Sequence, residues 1–211
     1  MAQRRNVWDS LANKYDRFWV QKHSLAPTRR AVKNILVPFL QKPDIALLDI
    51  GCGTGQLLCE LGKEYSDTAL FGADKSAEMI RTAQGKSCGA TFYCLDIDKE
   101  ELPEHIYENA LNAVVCCHSF PYYKDKAAVL EKLYQALKSD GIIIFVQAST
   151  NNLYDRFALS VVERTAEPAD YLSRKDFREL ISPLFMVKHD FNIKERFFMP
   201  SICGFVLEKR L

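Results

Sequence analysis

The most constraining feature of the chain is the stretch Ile45–Tyr65. Here the short aliphatic run IALLDI breaks on the loop Gly51-Cys52-Gly53-Thr54-Gly55 and passes straight into QLLCELGKEY. The run is strand-length, rich in branched aliphatics and closed by glycine, which reads as a strand buried on both faces. In the segment that follows, Leu57, Leu58 and Leu61 repeat at helical spacing and mark one apolar face. A strand that turns through glycines into a helix is the opening of a βαβ unit. The same alternation then recurs. ALFGAD (69–74) reads as a second strand, with Ser76 as N-cap and Gly85 as stop of the helix SAEMIRTAQ. TFYCLDI (91–97) and LNAVVCCHSF (111–120) read as the third and fourth strands. KAAVLEKLYQALK (126–138) is an amphipathic helix ended by Ser139-Asp140-Gly141, and GIIIFVQAS (141–149) is the fifth strand. About 100 residues of this pattern predict a parallel sheet covered by helices.

The flanks read differently. Residues 1–40 predict helices interrupted at Pro27 and Pro38. Ser173-Arg174-Lys175-Asp176 resembles a capping box opening FRELISPLF. Two strand-like runs, FMVKHDFNIKERFF and ICGFVLEKR, then predict a terminal antiparallel hairpin. With 211 residues and no repeat or linker, the expectation is one domain spanning 1–211. Its parts are a helical cap (1–40), a core (45–150), a lid (151–171) and a terminal helix and hairpin (172–211).

Composition narrows the classes of partner. Basic and acidic side chains number 28 and 27, for a net charge of +1. That balance builds no positive field, which argues against nucleic acid or an anionic membrane as partner. No apolar stretch nears the roughly 18 residues of a membrane span, and the N-terminus has no apolar leader. The seven cysteines form no C-x-x-C and no Cys/His zinc spacing, so no metal is expected. Several lie in apolar runs where a thiol packs as a small hydrophobe. A reducing, cytoplasmic location is the expectation.

The loop itself carries chemistry. Glycines let a backbone approach a ligand closely with its N–H groups exposed, and open parallel sheets bind ligands beyond the carboxyl ends of their strands. The spacing is G-x-G-x-G rather than the G-x-G-x-x-G of dinucleotide binders. Asp49 precedes the loop, Asp74 ends the next strand 19 residues after Gly55, and Asp96 ends the strand after that. An acid at about 20 residues is placed to meet a ribose.

This set resembles the class I S-adenosylmethionine-dependent methyltransferases, in their small type-11-like branch, over almost the whole chain. LLDIGCGTG is similar to the first motif of that family, GADKSAEMI to the second, YCLDI to the third and LNAVVCCHSF to the fourth, with SDGIIIF entering the fifth strand. WDSLANKYD (8–16) resembles its N-terminal segment, whose tyrosine helps cover the cofactor. The resemblance implies an α/β, Rossmann-like, doubly wound seven-stranded sheet with the last strand antiparallel and helices on both faces. It implies S-adenosylmethionine as cofactor. Asp49 and the Gly51, Cys52, Gly53 and Gly55 backbone would hold its methionine end, and Asp74, with Lys75 beside it, the ribose. Asp96 and the Ile97 amide would read the adenine edge, and the backbone at Cys116 and Cys117 the ammonium group. Tyr15 and one of Arg29 or Arg30 would close the open side, with Arg30 as the candidate.

His118 is the candidate base, since it follows the fourth strand and an ordinary imidazole titrates near neutrality; the alternative is a strand cap. Ser119-Phe120-Pro121-Tyr122 lacks one proline of the (Asp/Asn/Ser)-Pro-Pro-aromatic motif of amino methyltransferases, which argues against a nucleic-acid base as acceptor. Adjacent Cys116 and Cys117 point to opposite faces of a strand and do not converge on an ion. Tyr122, Tyr123, Tyr154, Phe157 and Tyr171 are either core under loops or walls of an acceptor pocket. Trp8, Tyr15, Phe18 and Trp19 are expected to help shape the acceptor site. The leading expectation is transfer of a methyl group to a small molecule by a monomer or homodimer. The alternatives are methylation of a protein or RNA, a non-catalytic cofactor-binding protein, and a nicotinamide-dependent oxidoreductase.

Overall fold

A computed structural model describes residues 7–16, 25–163, 168–193 and 200–210. Seven strands build a mixed sheet: β1 (Ala46–Ile50), β2 (Ala69–Asp74), β3 (Thr91–Cys94), β4 (Leu111–Cys117), β5 (Leu137–Ala148), β6 (Phe185–Ile193) and β7 (Ile202–Lys209). Their order is β3-β2-β1-β4-β5-β7-β6. Chain order therefore runs outward through β1, β2 and β3 on one side and through β4 and β5 on the other, where β7 is inserted between β5 and the edge strand β6. The pairs β1–β2, β2–β3 and β4–β5 are parallel, and β7 is antiparallel to both β5 and β6. Around them are α1 (Val7–Tyr15), α2 (Ala26–Leu40), α3 (Gln56–Glu64), α4 (Ala77–Gln84), α5 (Lys126–Ala136), α6 (Leu153–Glu163) and α7 (Arg174–Ile181). Among the described residues, no helix is long and apolar enough to cross a membrane.

Two compact units divide the chain, residues 1–96 and 97–211. In the first, Leu47, Leu48 and Ile50 of β1 are buried, as are Leu57, Leu58 and Leu61 of α3 and Met79, Ile80 and Ala83 of α4. Ser76 caps α4 by accepting from the Met79 N–H at 3.2 Å, as its position predicts. The Phe92 ring fills the space over two glycines: a Cβ on Gly55 or Gly72 would sit 2.7 Å from it. Gly55 is thus a packing position as well as a loop residue.

Cys59 of α3 and Cys88, in the loop before β3, form a disulfide across 29 residues of sequence. Cys116 and Cys203 are buried thiols, as the apolar runs predict, whereas this pair departs from the expectation of small buried hydrophobes. Nothing in the sequence spacing marks it. Closing a loop of that length removes about 3–4 kcal/mol of unfolded-state freedom on the chain-entropy account.

In the second unit, Leu111, Ala113, Val114, Val115 and Cys116 of β4 and the Ile142–Val146 stretch of β5 are buried. An aromatic stack of Phe120, Phe145, Phe177 and Phe205 joins the turn after β4 to β5, α7 and β7, with ring centroids 4.6–5.7 Å apart. Ser173 caps α7 as its position predicts: Asp176 N–H donates to Ser173 Oγ at 3.2 Å, and Asp176 answers through its carboxylate, where Oδ2 accepts from Ser173 Oγ at 2.7 Å, rather than from the Ser173 N–H of a capping box. From the start of α7, Arg174 reaches Asp190 Oδ2 (2.8 Å), the Phe191 carbonyl (3.0 Å) and Asn192 Oδ1 (2.7 Å), pinning helix to hairpin.

Some boundaries differ from the sequence reading. Pro38 does not break a helix but lies inside the last turn of α2. Its ring withholds one N–H from the carbonyl four residues back, which belongs to the exposed Asn34, so water can take the bond. Ser139-Asp140-Gly141 is not a helix stop, because α5 ends at Ala136 and β5 begins at Leu137. The tripeptide forms an irregularity instead: pairing steps from Leu111↔Leu137 to Ala113↔Ile142. β3 ends at Cys94 and β4 at Cys117, both shorter than predicted. The N-terminal aromatics Phe18 and Trp19 lie outside the described residues.

Gly204 lies directly under the Phe191 ring, where a Cβ would stand 2.1–2.5 Å from three ring carbons. Gly204→Ala is expected to cost about 1–3 kcal/mol, the range of an overpacked site, read as a lowered urea midpoint with unchanged slope.

Candidate functional site

The first unit gathers its polar groups where β1 and β2 end. Gly51, Gly53 and Gly55 have φ of 73°, 54° and 71°, a region open to glycine and strained for other residues. Gly51 and Cys52 donate N–H bonds to the Ala73 carbonyl at 2.7 and 3.1 Å, which lashes the loop to the end of β2. Asp74 completes the lashing: Oδ2 accepts from the Gly53 N–H and Oδ1 from the Ser76 N–H, both at 2.9 Å. Asp74 is therefore structural as well as a ligand candidate.

Asp49, the acid before the loop, is buried, and its Oδ1 has no hydrogen-bond partner among the described residues. Burial, with the neighbouring Asp74 adding to it, pushes its carboxyl up to about 7. Asp74 is raised by burial, with the Ser76 and Gly53 N–H bonds opposing. The Cys52 thiol is pushed well above its ordinary range by burial and by Asp49 and Asp74. A buried acid with an unused oxygen beside a glycine loop suits a ligand that brings a cation or donor. A methionine-type ammonium fits that requirement.

Helix α1 lies over the loop and is clasped at both ends. Ser76 Oγ donates to Asp9 Oδ1 and Thr54 Oγ1 to Asp16 Oδ1, each at 2.6 Å. Asp16 Oδ2 accepts from Lys86 Nζ at 2.8 Å. The Tyr15 ring is 3.7 Å from where a Cβ on Gly53 would stand, and Trp8 meets Tyr15 edge-on. Tyr15 was legible in the sequence, while Asp9, Asp16, Thr54 and Lys86 were not singled out, although both acids lie inside WDSLANKYD.

The other candidates of this unit fall into place less tightly. Lys75 is exposed and its charge opposes the rise at Asp74. Asp96 is half-buried just beyond β3. Arg29 gives its Nε to Glu60 Oε1 at 2.9 Å, and Arg30 is exposed on α2.

The second unit holds the remaining candidates. Ile97 is buried and its carbonyl accepts from Lys132 Nζ at 3.1 Å. Cys117 ends β4 half-buried. His118 adopts φ of 61° and donates its N–H to the Val146 carbonyl at 2.7 Å. Burial lowers its imidazole to about 4, so it is neutral at pH 7; the near-neutral titration expected from an ordinary histidine is corrected. Tyr122 and Tyr171 face each other through their hydroxyls at 3.3 Å, and Tyr123 donates to Ser119 Oγ at 3.1 Å. On α6, Leu153 (83%) and Phe157 (70%) are exposed, so these two do not pack on the sheet. Asp155 was missed: it is buried and accepts from the Ser201 and Asn151 N–H groups, anchoring the start of α6. The side chains of Val161 and Val162 lie outside those described.

Residues 48–143 match the family model described as a methyltransferase domain. Among curated proteins, a malonyl-[acyl-carrier protein] O-methyltransferase of Acetivibrio thermocellus is 30% identical over 125 residues, 57% of this chain and 42% of that protein. A putative methyltransferase of Bacillus subtilis, YqeM, is 29% identical over 171 residues, 79% of this chain and 65% of its own. The chain spans 42–49% of the length of the first three curated relatives. Among solved structures, the putative methyltransferase in complex with the Trm112 activator from Haloferax volcanii superposes with a TM-score of 0.80 at 17% identity, over 99% of this chain and 100% of its own. The magnesium protoporphyrin IX methyltransferase of Synechocystis PCC 6803 with bound S-adenosylhomocysteine superposes at 0.72 and 18% identity, over 97% and 98%. These likenesses show the fold. Together with the family match, they make residues 48–143 a methyltransferase domain of the class I, S-adenosylmethionine-dependent type.

Asp49 gives a stability signature. Its folded-state value of about 7 lies above the ordinary carboxyl value of about 3.9, so the native state holds the proton more tightly. Its contribution is thus greatest below about pH 4 and is lost as pH rises through about 7. Asp49→Asn, which does not titrate, should be more stable than wild type in ligand-free urea unfolding at about pH 8. That advantage should shrink toward about pH 5.

Proposed function

We propose that the protein transfers a methyl group from S-adenosylmethionine to a small-molecule acceptor. The reading rests on the whole cradle and is carried by one observation, the unpartnered Oδ1 of buried Asp49 beside the glycine loop. In this reading Asp49 faces the positive end of the cofactor, and the Gly51–Gly55 backbone fixes its methionine part. Asp74, already held by two N–H bonds, keeps lone pairs for the ribose hydroxyls. Tyr15 and α1 cover the site and exclude water. Asp96, the Ile97 amide and the Cys117 backbone keep the adenine and ammonium roles that the motifs imply. Lys75 stays at the rim, and Arg30 is the weakest member of the set because its side chain is exposed.

Bound S-adenosylmethionine would supply an activated methyl group whose in-line displacement leaves a neutral thioether. The protein's share is then alignment, which can supply on the order of 7–11 kcal/mol. His118, held in place by its bond to Val146, is proposed to contact the acceptor as a neutral imidazole. Cytoplasmic placement and a monomeric or homodimeric state belong to the same proposal. Similar structures include methyltransferases whose names carry magnesium protoporphyrin IX and geranyl diphosphate, which supports the small-molecule class of acceptor.

Two measurements test this. Labelled S-adenosylmethionine incubated with a metabolite extract should put label into a small product and not into protein or RNA; label in macromolecules alone overturns the acceptor class. In titration calorimetry S-adenosylhomocysteine should bind, NAD should not, and Asp74→Ala should weaken binding by roughly 2–4 kcal/mol. Unchanged affinity in that variant overturns the ribose role. A further expectation concerns pH. If His118 takes a proton during transfer, the acid limb of the rate profile lies near 4 and disappears in His118→Gln. A profile without that limb in the wild type returns His118 to a strand-capping role.

A further inference from the structure

The Cys59–Cys88 bridge sits beside the candidate cofactor cradle. Cys59 is in the second turn of α3, and its N–H donates to the carbonyl of Gly55, the last glycine of the loop, at 2.9 Å. Cys88 follows α4, and its carbonyl presses on α3 so closely that a Cβ on Gly62 would stand 2.3 Å from it. Two residues before Cys88, Lys86 donates to Asp16 Oδ2, and Asp16 in turn receives the Thr54 hydroxyl from the glycine loop. The covalent bridge therefore fixes the segment whose lysine holds the C-terminal end of α1 down on that loop.

We propose that Cys59 and Cys88 are a reversible thiol–disulfide modification site that sets how firmly α1 closes over the glycine loop. The co-reactant is a thiol–disulfide couple of the glutathione type. In reduction, an incoming thiolate attacks the sulfur of Cys88, the less buried residue of the pair, the Cys59–Cys88 bond breaks and Cys59 leaves as thiolate, which takes up a proton. A second thiol then releases Cys88, so two external thiols become one external disulfide and the protein gains two thiols. Oxidation is the reverse. Cys59 is nearly buried, so Cys88 is the point of entry. Cys52 is nearby in sequence but stays a protonated, poorly nucleophilic thiol beside Asp49 and Asp74. In the oxidised state the 86–88 segment is anchored and Lys86 is presented to Asp16. In the reduced state that anchor is gone and the hold on α1 weakens.

The effect on cofactor rests on the proposed function, whereas the effect on α1 does not, and the experiment reads both. The 211-residue wild-type chain is equilibrated across mixtures of reduced and oxidised glutathione, with cysteine pairing mapped by alkylation and mass spectrometry. Hydrogen exchange is followed for residues 7–16, and S-adenosylhomocysteine binding by calorimetry. Cys59 and Cys88 should convert together. Exchange in 7–16 should slow in the oxidised state, and affinity should rise roughly two- to five-fold, the range one partly exposed ion pair can transmit. Lys86→Met should still form the bridge yet lose the difference in 7–16. The proposal is overturned by a pair that stays reduced in every mixture, by a bridge that leaves 7–16 unchanged, or by a Lys86→Met variant that keeps the full difference. Redox-dependent exchange without any S-adenosylhomocysteine binding supports the switch and overturns the cofactor reading instead.

Discussion

The Asp74 carboxylate holds the first unit's site together. One oxygen takes the Gly53 N–H from the loop after β1, and the other takes the Ser76 N–H that opens α4. Hydrogen bonds to a charged acceptor are worth about 1.5–3 kcal/mol each, so this one residue fixes loop and helix start against each other. Everything laid on that frame inherits its geometry. Ser76, once positioned, caps α4 and reaches Asp9. The glycine loop, once positioned, offers Thr54 to Asp16 and the flat backbone of Gly53 to the Tyr15 ring. Helix α1 is thereby attached to the two segments that Asp74 joins.

Such a frame is electrically lopsided. Asp9, Asp16, Asp49 and Asp74 all belong to it, while among the described residues Lys86 donates a hydrogen bond into it, at Asp16. Burying Asp49 with an unpartnered oxygen costs stability in the ligand-free protein, which its raised pKa expresses. The cost becomes intelligible if a ligand supplies the missing positive charge. Binding then draws Asp49 toward its ionised form and releases a proton, so affinity and pH are linked through a residue that need not take part in any bond change. Strain in a ligand-free site that ligand binding relieves is a common arrangement where function competes with stability.

The sequence exposed those parts of this site that depend on local chemistry. The glycine loop, Asp49, Asp74 and the Ser76 cap each follow from residue type and spacing along one strand–turn–helix passage, and the structure places them as read. β2 is matched residue for residue because a buried parallel strand is a continuous apolar run with abrupt ends. The misses share another cause. Asp9, Asp16 and Lys86 matter because segments distant in sequence meet, and single acids on a short amphipathic helix look like solvated surface. Cys59 and Cys88 are 29 residues apart and belong to unlike segments, so their pairing has no spacing signature. Residues 137–140 read as helix and turn because Ser-Asp-Gly resembles a stop, whereas the irregularity between Leu111 and Ala113 lets the strand begin earlier. Asp155 was passed over for the opposite reason: it lies in an exposed-looking amphipathic run but turns inward to accept two backbone N–H groups.

The second unit constrains the chemistry by what His118 is not. An imidazole held near 4 is a weak base at neutral pH. Proton transfer to it from an alcohol or ammonium is steeply uphill, and general-base catalysis is most effective when the pKa lies close to the working pH. A neutral imidazole can still accept a hydrogen bond and orient an acceptor, and its backbone, strained at φ of 61° and tied to Val146, holds it in one place. That combination suits an acceptor that arrives already nucleophilic, such as a carboxylate, or a phenol or thiol of low pKa. For such acceptors alignment alone can carry the displacement. Under the proposed role of His118 at the acceptor, its lowered imidazole fits an acceptor that is itself acidic, a property that the glycine loop and its acids do not determine.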